Sequence, residues 1–323
     1  MRVVVLEKFG RLDSLVHKEI PDPKPKAGHV VIEIKAFGIN HAEMHMRRGE
    51  WAEAAKVIGI ECVGLVKSCP GGEFPIGAKV AALMGGLGRT INGSYAEYTR
   101  APVSNVALIE SDLPWAELAV IPETCATAWT CLFRNLEITK SQTLVIRGAT
   151  SSFGQAAFNM AANSSARVIA TTRSQQRFAM LQELSAERVE LEGPGFPSAS
   201  PKPNNSMQCS ILSATAQSST PSPCSAGAAA RASQVGWAGS RRSRTSIRCC
   251  KCPAASTSPS SAVLCSAHPV FPLSDVPLQE IAREVAARRL KAKPARVFRF
   301  EEIREAHRAM EANEAGGKMV VVL

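Results

Sequence analysis

Apolar and polar residues alternate in short runs over the first part of the chain, as is typical of strands with one buried face. Turns rich in proline separate these runs, as in Pro21-Asp22-Pro23-Lys24-Pro25. The strands predicted in this way are Met1–Glu7, His29–Ala36, Val63–Lys67, Lys79–Leu83 and Ser94–Thr99. Residues 1–122 are therefore predicted to form a compact, β-rich domain similar to a partly open barrel.

The pattern changes after Pro122, where helical periodicity alternates with continuous apolar runs. The predicted order is a helix at Glu123–Leu136, a strand at Thr143–Arg147, a small-residue turn at Gly148–Gly154, a helix at Gln155–Ala162, a strand at Arg167–Thr172 and a helix at Gln175–Leu184. Alternation of this kind predicts a doubly wound parallel sheet. We therefore predict the α/β class, with residues 123–270 as the second domain.

Periodicity disappears after Glu192 and returns at Phe271. Residues 193–270 are rich in Ser, Pro, Ala, Arg and Cys, a composition with little apolar area to bury, and we predict that they are disordered. The elements predicted beyond them are a helix at Pro277–Arg289, a strand at Ala295–Phe298, a helix at Glu301–Asn313 and a strand at Lys318–Leu323.

The net charge of +10 is unevenly distributed, because seven of the excess positive charges fall between Gly193 and Ser274, where the chain has no Asp or Glu. A basic protein can bind nucleic acid, but the run Arg241–Arg248 lacks interleaved aromatic residues, so no nucleic-acid partner is expected. No apolar stretch is long enough to span a membrane and no secretion signal is evident, so we expect a cytosolic protein without a membrane partner.

The turn between the first two strands of the second domain reads Ala149-Thr150-Ser151-Ser152-Phe153-Gly154. Small residues at this place allow backbone N–H groups to approach a pyrophosphate at the start of a helix. Of the G-x-G-x-x-G dinucleotide motif only the third glycine, Gly154, is present. An ordinary strand-to-helix turn is the alternative, although the position between a strand and a helix favours a dinucleotide site.

The end of the next strand indicates which nicotinamide cofactor this site accepts. Sites for NAD normally place an acidic residue there, whereas this chain reads Thr172-Arg173-Ser174, with Arg177 one turn later. A guanidinium at this place is suited to a 2′-phosphate. The sequence therefore predicts NADPH as the cofactor, the alternative being that Arg173 is an ordinary solvated side chain.

Four segments together resemble the zinc-free quinone oxidoreductases, which are similar to zeta-crystallin, of the medium-chain dehydrogenase/reductase superfamily. They are Gly38-Ile39-Asn40-His41-Ala42-Glu43 with Arg47-Arg48-Gly49, Gly93-Ser94-Tyr95-Ala96-Glu97-Tyr98, Pro122-Glu123-Thr124-Cys125-Ala126-Thr127-Ala128-Trp129 and Gly316-Gly317-Lys318-Met319-Val320-Val321. The resemblance covers residues 1–194 and 271–323.

The resemblance implies a GroES-like catalytic domain, to which residues 271–323 return, around a Rossmann domain. It also implies that Asn40 and Thr127 lie near the nicotinamide and that the hydride acceptor is a quinone or an enone. His41 replaces the proline that is usual in the family, which changes the local shape of the pocket. Many members of the family are dimers, and for this chain both a dimer and a monomer are considered.

The resemblance also bears on metal binding. Zinc-dependent relatives have Cys where Asn40 stands and a His-Glu pair where Ile60-Glu61 stands, and an isoleucine cannot bind a metal. The group Cys249-Cys250-Lys251-Cys252 is similar to a C-x-x-C metal knuckle, but no second pair has suitable spacing. We therefore expect no metal.

The genetic code suggests a specific origin for residues 193–270. When the reading frame is shifted back by one base, Ser246–Pro253 admits the string F-N-P-L-L-Q-M-P, and Met207–Gly239 admits strings similar to the fourth and fifth strands of a quinone oxidoreductase cofactor domain. The hypothesis is a frameshift that begins near Gly195 and is repaired near Val270. The alternative origin is a genuine disordered insertion. For function, the alternative to an active reductase is a catalytically dead, frameshifted product of such a gene.

If the frameshift hypothesis holds, a protein restored to frame over residues 193–270 should gain protease resistance, NADPH binding and quinone or enone reduction together. The reason is that buried Ser and Thr without partners cost about 1–3 kcal/mol each, against a total stability of about 5–15 kcal/mol. Limited proteolysis and cofactor titration of both proteins measure the difference. Equal protease resistance and turnover in the two proteins would show that the segment folds as written.

Overall fold

The computed structural model describes residues 1–51, 53–184, 186–192 and 273–323, and between these last two ranges only the backbone of three strands. The chain divides into two compact units. Unit 1 comprises Met1–Ala126 and Ser266–Leu323, and unit 2 comprises Thr127–Cys265. The cysteine group at 249–252, most of the Arg241–Arg248 run and most of the frameshift segment lie outside the described residues.

Unit 1 is built on a sheet of seven strands, together with a separate two-stranded ribbon of β1 and β2. Its strands are β1 (Arg2–Leu6), β2 (Leu15–Glu19), β3 (His29–Ile39), β4 (Glu61–Ser68), β5 (Lys79–Leu83), β6 (Tyr98–Pro102), β7 (Val106–Leu108), β14 (Arg296–Arg299) and β15 (Met319–Val322). The sheet order is β14-β15-β3-β4-β5-β7, and β6 also pairs with β3. The helices described in this unit are α1 (His41–Arg48), α2 (Trp115–Leu118), α6 (Leu278–Ala286) and α7 (Ile303–Glu311).

The long strand β3 is central to unit 1 because β4, β6 and β15 all pair with it. Its apolar run is fully or almost fully buried, as Val30, Ile32 and Phe37 show. Strand β15 runs antiparallel to β3, with Val320 opposite Gly38 and Met319 opposite Ile39. This register places Lys318, just before β15, beside Asn40, just after β3.

Unit 2 contains a six-stranded sheet in the order β10-β9-β8-β11-β12-β13. Its strands are β8 (Thr143–Arg147), β9 (Arg167–Thr172), β10 (Arg188–Leu191), β11 (Cys209–Ser213), β12 (Ala232–Val235) and β13 (Ser246–Ile247), and its helices are α4 (Ser152–Asn163) and α5 (Phe178–Glu183). Helix α3 (Pro122–Trp129) contains the division between the units and continues as a π-helix over Thr130–Asn135. The predicted α/β class is confirmed.

The parallel arrangement predicted for this sheet holds for β10, β9, β8 and β11. Strands β12 and β13 are antiparallel to their neighbours, which corrects the prediction for that edge. These strands lie in the segment predicted to lack structure, and they can form because backbone N–H and C=O groups are available in any sequence. Disorder of the remaining residues between 193 and 270 stays a prediction.

The predicted strand at Ser94–Thr99 is displaced in the structure, where β6 begins at Tyr98. The residues before it do not join this sheet. Ala96 forms an isolated antiparallel bridge with Val3 of β1, and the N–H of Tyr95 donates to Ile58 O. Alternation along the sequence does not distinguish such loop contacts from strand pairing.

Candidate functional site

Asn40 lies at the corner between β3 and α1. Its backbone is extended, with φ −127° and ψ 158°, and it immediately precedes the helix. The N–H of Asn40 donates to Glu43 Oε2 at 2.8 Å, which is the reciprocal half of a capping arrangement. His41 is the first residue of α1, a position that suits proline. A histidine in place of the proline that is usual in the family therefore leaves the start of the helix intact.

The Asn40 side chain is held by two buried charges. Lys318 Nζ donates to Asn40 Oδ1 at 2.6 Å, and Asn40 Nδ2 donates to Glu61 Oε1 at 2.9 Å. The amide oxygen of Asn40 is therefore engaged by Lys318, just before β15, and the amide nitrogen by Glu61 of β4. Asn40 is half-buried whereas Lys318 and Glu61 are buried, so Asn40 is the member of this group with exposed surface.

Lys318 and Glu61 form an ion pair of 2.5 Å, and their side chains are only 2% and 0% exposed. A pair as deeply buried as this needs further hydrogen bonds to offset the loss of hydration. Those bonds come from Asn40 on one side and from the N–H of Glu123, which donates to Glu61 Oε2 at 2.7 Å, on the other. The arrangement is therefore well satisfied.

Gly38 provides the space for this pair. A Cβ placed on Gly38 would overlap with Glu61 Oε1 and with Lys318 Cε. The glycine faces Val320 across β3 and β15, so both strands approach the pair at this point. Glycine is required at position 38 because it has no side chain, and not because of an unusual backbone angle.

A second buried acid, Glu43, lies beside this group. Burial raises its pKa to about 7, although hydrogen bonds and the nearby Lys318 charge act in the opposite direction. The N–H of Ile60 donates to Glu43 Oε1 at 3.1 Å. The sequence predicts a role for Asn40 but none for Glu43, Glu61 or Lys318. The available signals are that Glu43 and Lys318 lie in the segments that carry the family resemblance and that Glu61 interrupts an apolar stretch.

Thr127 lies in α3 and is 6% exposed. It falls in unit 2, whereas Asn40 falls in unit 1. A role for Thr127 beside the nicotinamide stays a prediction.

In unit 2 the turn between β8 and α4 has the features that a dinucleotide site requires. Ser151 is the N-cap of α4, and its hydroxyl accepts a hydrogen bond from the N–H of Gly154 at 3.0 Å. A Cβ on Gly154 would overlap with Gly148 O and with the backbone of Ala149, so only glycine allows the helix to start this close to the strand. Thr150, Ser152 and Phe153 complete the turn.

The predicted 2′-phosphate residues follow β9. Arg173 is exposed, and Thr172 is buried with its hydroxyl accepting from the N–H of Ser174 at 3.2 Å. Arg177 Nη1 donates to Thr150 Oγ1 at 3.3 Å. The structure thus connects Arg177 with the turn, while Arg173 extends from the strand end into solvent.

One prediction about this edge needs correction, because a carboxylate does lie there. Glu192 follows the neighbouring parallel strand β10, and its N–H donates to Thr172 O at 2.8 Å. Its carboxylate accepts from the N–H of Gly148 at 3.1 Å, from Arg147 Nη2 at 3.3 Å and from the Thr171 hydroxyl. Only strand pairing brings residue 192 beside 171 and 172, so a search near Arg173 in the sequence misses it.

The Glu192 carboxylate is held in its ionised form. Partial burial opposes ionisation, but the hydrogen bonds from Thr171, Arg147 and Gly148 outweigh it and lower the pKa below the ordinary value. The negative charge is therefore balanced within the protein by a guanidinium and by backbone and hydroxyl donors.

Among the described residues, no group of three or more His, Cys, Asp or Glu side chains is placed to hold a metal ion. Ile60 and Cys62 are fully buried, and burial raises the pKa of the Cys62 thiol, which opposes the thiolate form that a metal needs. Nor does any helix in this part of the chain have the length and apolar character needed to cross a bilayer.

Two family models match the chain: Alcohol dehydrogenase GroES-like domain over residues 26–111 and Zinc-binding dehydrogenase over residues 252–321. A synaptic vesicle membrane protein VAT-1 homolog-like from Mus musculus is 30% identical over 161 residues, which are 48% of this chain and 37% of the relative. A highly reducing polyketide synthase from Cryptosporiopsis sp. is 30% identical over 156 residues, which are 48% of this chain and 6% of the synthase. The chain thus spans well under half the length of these relatives.

Solved structures show the same fold. The quinone oxidoreductase from Coxiella burnetii has a TM-score of 0.74 at 18% identity, covering 100% of this chain and 99% of that one. A mycobacterial protein in complex with NADPH has a TM-score of 0.70 at 15% identity, covering 100% of both chains.

Unit 1 thus contains the residues that match the GroES-like model, and the chain has the fold of these solved structures. The two dehydrogenase family models that match confirm the resemblance stated from the motifs.

The purified protein is expected to carry no stoichiometric zinc, because Asn40 and Ile60 stand where zinc-dependent relatives have ligands. Elemental analysis after mild chelation measures this. One zinc ion retained per chain would show the expectation to be wrong.

Replacement of Gly38 by alanine is expected to lower the free energy of unfolding by about 1–3 kcal/mol, because the added methyl group overpacks the buried ion pair. Urea unfolding followed by tryptophan fluorescence measures this. Gly28→Ala is the matched control: its Cβ meets nothing within 4 Å, and only its positive φ of 71° opposes the change. A smaller loss for Gly38→Ala than for Gly28→Ala would contradict the packing argument.

Proposed function

We propose that the chain is an NADPH-dependent oxidoreductase whose hydride acceptor is a quinone or an α,β-unsaturated carbonyl compound. The observation that carries this proposal is the capped turn between β8 and α4, followed by the exposed Arg173 at the end of β9. Quinone oxidoreductase and polyketide synthase relatives support the acceptor class, and the mycobacterial protein solved with NADPH supports the cofactor.

The described residues fit a dinucleotide. Gly148 has a positive φ of 63°, and no Cβ fits at Gly154, so the turn is tight and the helix begins close to the strand. The N-terminus of α4, a helix of 12 residues, favours negative charge. Residues 149–154 would therefore hold the pyrophosphate.

Arg173 is the residue proposed to bind the 2′-phosphate, with Ser174 and Arg177 beside it. The carboxylate of Glu192 would repel a phosphate, but its charge is offset by Arg147 and by hydrogen bonds from Gly148 and Thr171. The exposed guanidinium of Arg173 is thus available for a bidentate contact.

When bound, the nicotinamide supplies the hydride from its C4 atom. Thr127 would position the nicotinamide ring, and the Asn40 amide would contact the carbonyl oxygen on which negative charge develops. The sequence offers no evident general acid, so we expect the final proton to come from solvent.

A catalytically dead protein is the second candidate, because residues 193–270 are rich in Ser, Pro, Ala and Arg and offer little apolar area to a cofactor domain. Saturable binding of NADPH to the purified chain distinguishes the two candidates, since an inactive protein with an incomplete cofactor domain would show none.

Arg173→Ala is expected to remove most of the preference for NADPH over NADH. A charge-assisted contact of this kind is worth roughly 1.5–3 kcal/mol, on the order of ten- to a hundredfold in affinity. Titration of both cofactors by fluorescence measures the preference. Arg167→Ala, at the opposite end of the same strand, is the matched control and should preserve it. Equal affinity of the parent protein for NADH and NADPH would refute the assignment.

A further inference from the structure

The orientation of the Asn40 amide is determined by its two partners. The oxygen and nitrogen of an asparagine amide are normally hard to distinguish, and the hydrogen-bond network must decide between them. Here an ammonium can only donate and an ionised carboxylate can only accept. Lys318 therefore faces Oδ1 at 2.6 Å, and Glu61 faces Nδ2 at 2.9 Å.

This arrangement leaves one hydrogen of the Asn40 amide nitrogen available as a donor. Lys318 engages Oδ1, and Glu61 engages one hydrogen of Nδ2, while within the described part of the chain no acceptor is recorded for the second hydrogen. Lys318 and Glu61 are buried, whereas Asn40 is half-buried. Asn40 is thus the residue of the group with exposed surface, and the function that its amide retains is that of a neutral hydrogen-bond donor.

The buried charges also strengthen that donor. An ammonium bonded to the amide oxygen draws electron density from the nitrogen, and hydrogen bonds in a chain polarise one another in a medium of low dielectric constant. A donor held in advance at the place where an oxygen becomes negative is the arrangement that stabilises oxyanions most effectively.

We infer that Lys318 and Glu61 are positioning residues, which hold the Asn40 amide with Nδ2–H directed to the carbonyl oxygen of the hydride acceptor. This inference rests on the proposed function. It narrows the acceptor to compounds whose carbonyl oxygen gains negative charge when hydride is added. A purely structural ion pair that ties β15 to β3 and β4 is the alternative.

The decisive variant is the double replacement Lys318→Met/Glu61→Gln. Replacement of a buried ion pair by groups of similar volume is often tolerated. The N–H of Glu123 needs an acceptor, so the oxygen of the glutamine at position 61 will face Glu123 and its NH2 group will face Asn40. The Asn40 amide must then turn around to present its oxygen, and the fixed donor is lost.

The first measurement needs no turnover. In the protein without cofactor, the side-chain NH2 signals of Asn40 are assigned by their loss in Asn40→Ala, and their hydrogen exchange is followed by NMR. Exchange is expected to be at least about tenfold faster in the double variant, because the bond to Glu61 is gone and an unfixed amide exchanges freely. Unchanged exchange would overturn the inference.

The second measurement is a cycle of kcat values with a quinone acceptor. Asn40→Ala and the double variant are each expected to lower kcat about a hundredfold, with the Kd of NADPH within about twofold of the parent. The triple variant should lose little more than Asn40→Ala alone, since Lys318 acts through Asn40. Losses that multiply would show a structural role and overturn the inference.

Two further variants separate the remaining explanations. Asn40→Asp keeps the shape but lacks the donor, and its carboxylate would lie against that of Glu61. It should be at least as impaired as Asn40→Ala, and normal turnover would overturn the inference even if the double variant did not fold. Tyr95→Phe removes another buried hydrogen bond of unit 1, to His307, and should retain kcat.

If the parent protein reduces no quinone or enone, the proposed function is wrong. The hydrogen-exchange rate of the Asn40 amide then decides by itself whether Lys318 and Glu61 hold that amide in place.

Discussion

The buried ion pair of Lys318 and Glu61 joins the end of the chain to the centre of unit 1. Lys318 precedes β15, Glu61 begins β4, and the two meet across Gly38 of β3. A lone charge at this depth would be strongly destabilising, so the pair requires these strands to keep their register. The same requirement excludes a side chain at position 38, and the two charges hold the Asn40 amide between them.

Unit 2 is governed by a different constraint, which is the close approach of backbone segments at the start of α4. Gly148 and Gly154 allow the strand, the turn and the helix to come together, and Ser151 satisfies one of the free N–H groups. The strand, the turn and the capped helix start are therefore formed although most of the glycine motif is missing. Small residues, rather than the motif as written, are what the backbone geometry needs.

The two acids Glu43 and Glu192 have pKa values shifted in opposite directions. Burial raises the pKa of Glu43 to about 7, whereas hydrogen bonds from Thr171, Arg147 and Gly148 overcome the effect of burial on Glu192 and lower its pKa. Glu192 is thus a negative charge at the end of β10, and Arg173, which follows the neighbouring strand β9, is an exposed positive charge.

The sequence alone determined the α/β class, the strand–turn–helix at residues 143–163 and the place of Asn40, because hydrophobic periodicity and small-residue turns are local properties of the chain. The composition of residues 193–270 likewise showed where that periodicity fails. Three features came only from the tertiary structure: the pairing of Lys318 with Glu61, the carboxylate of Glu192 beside Thr171, and the antiparallel edge of β12 and β13. Each depends on strand register between segments far apart in the chain, and local patterns carry no information about register.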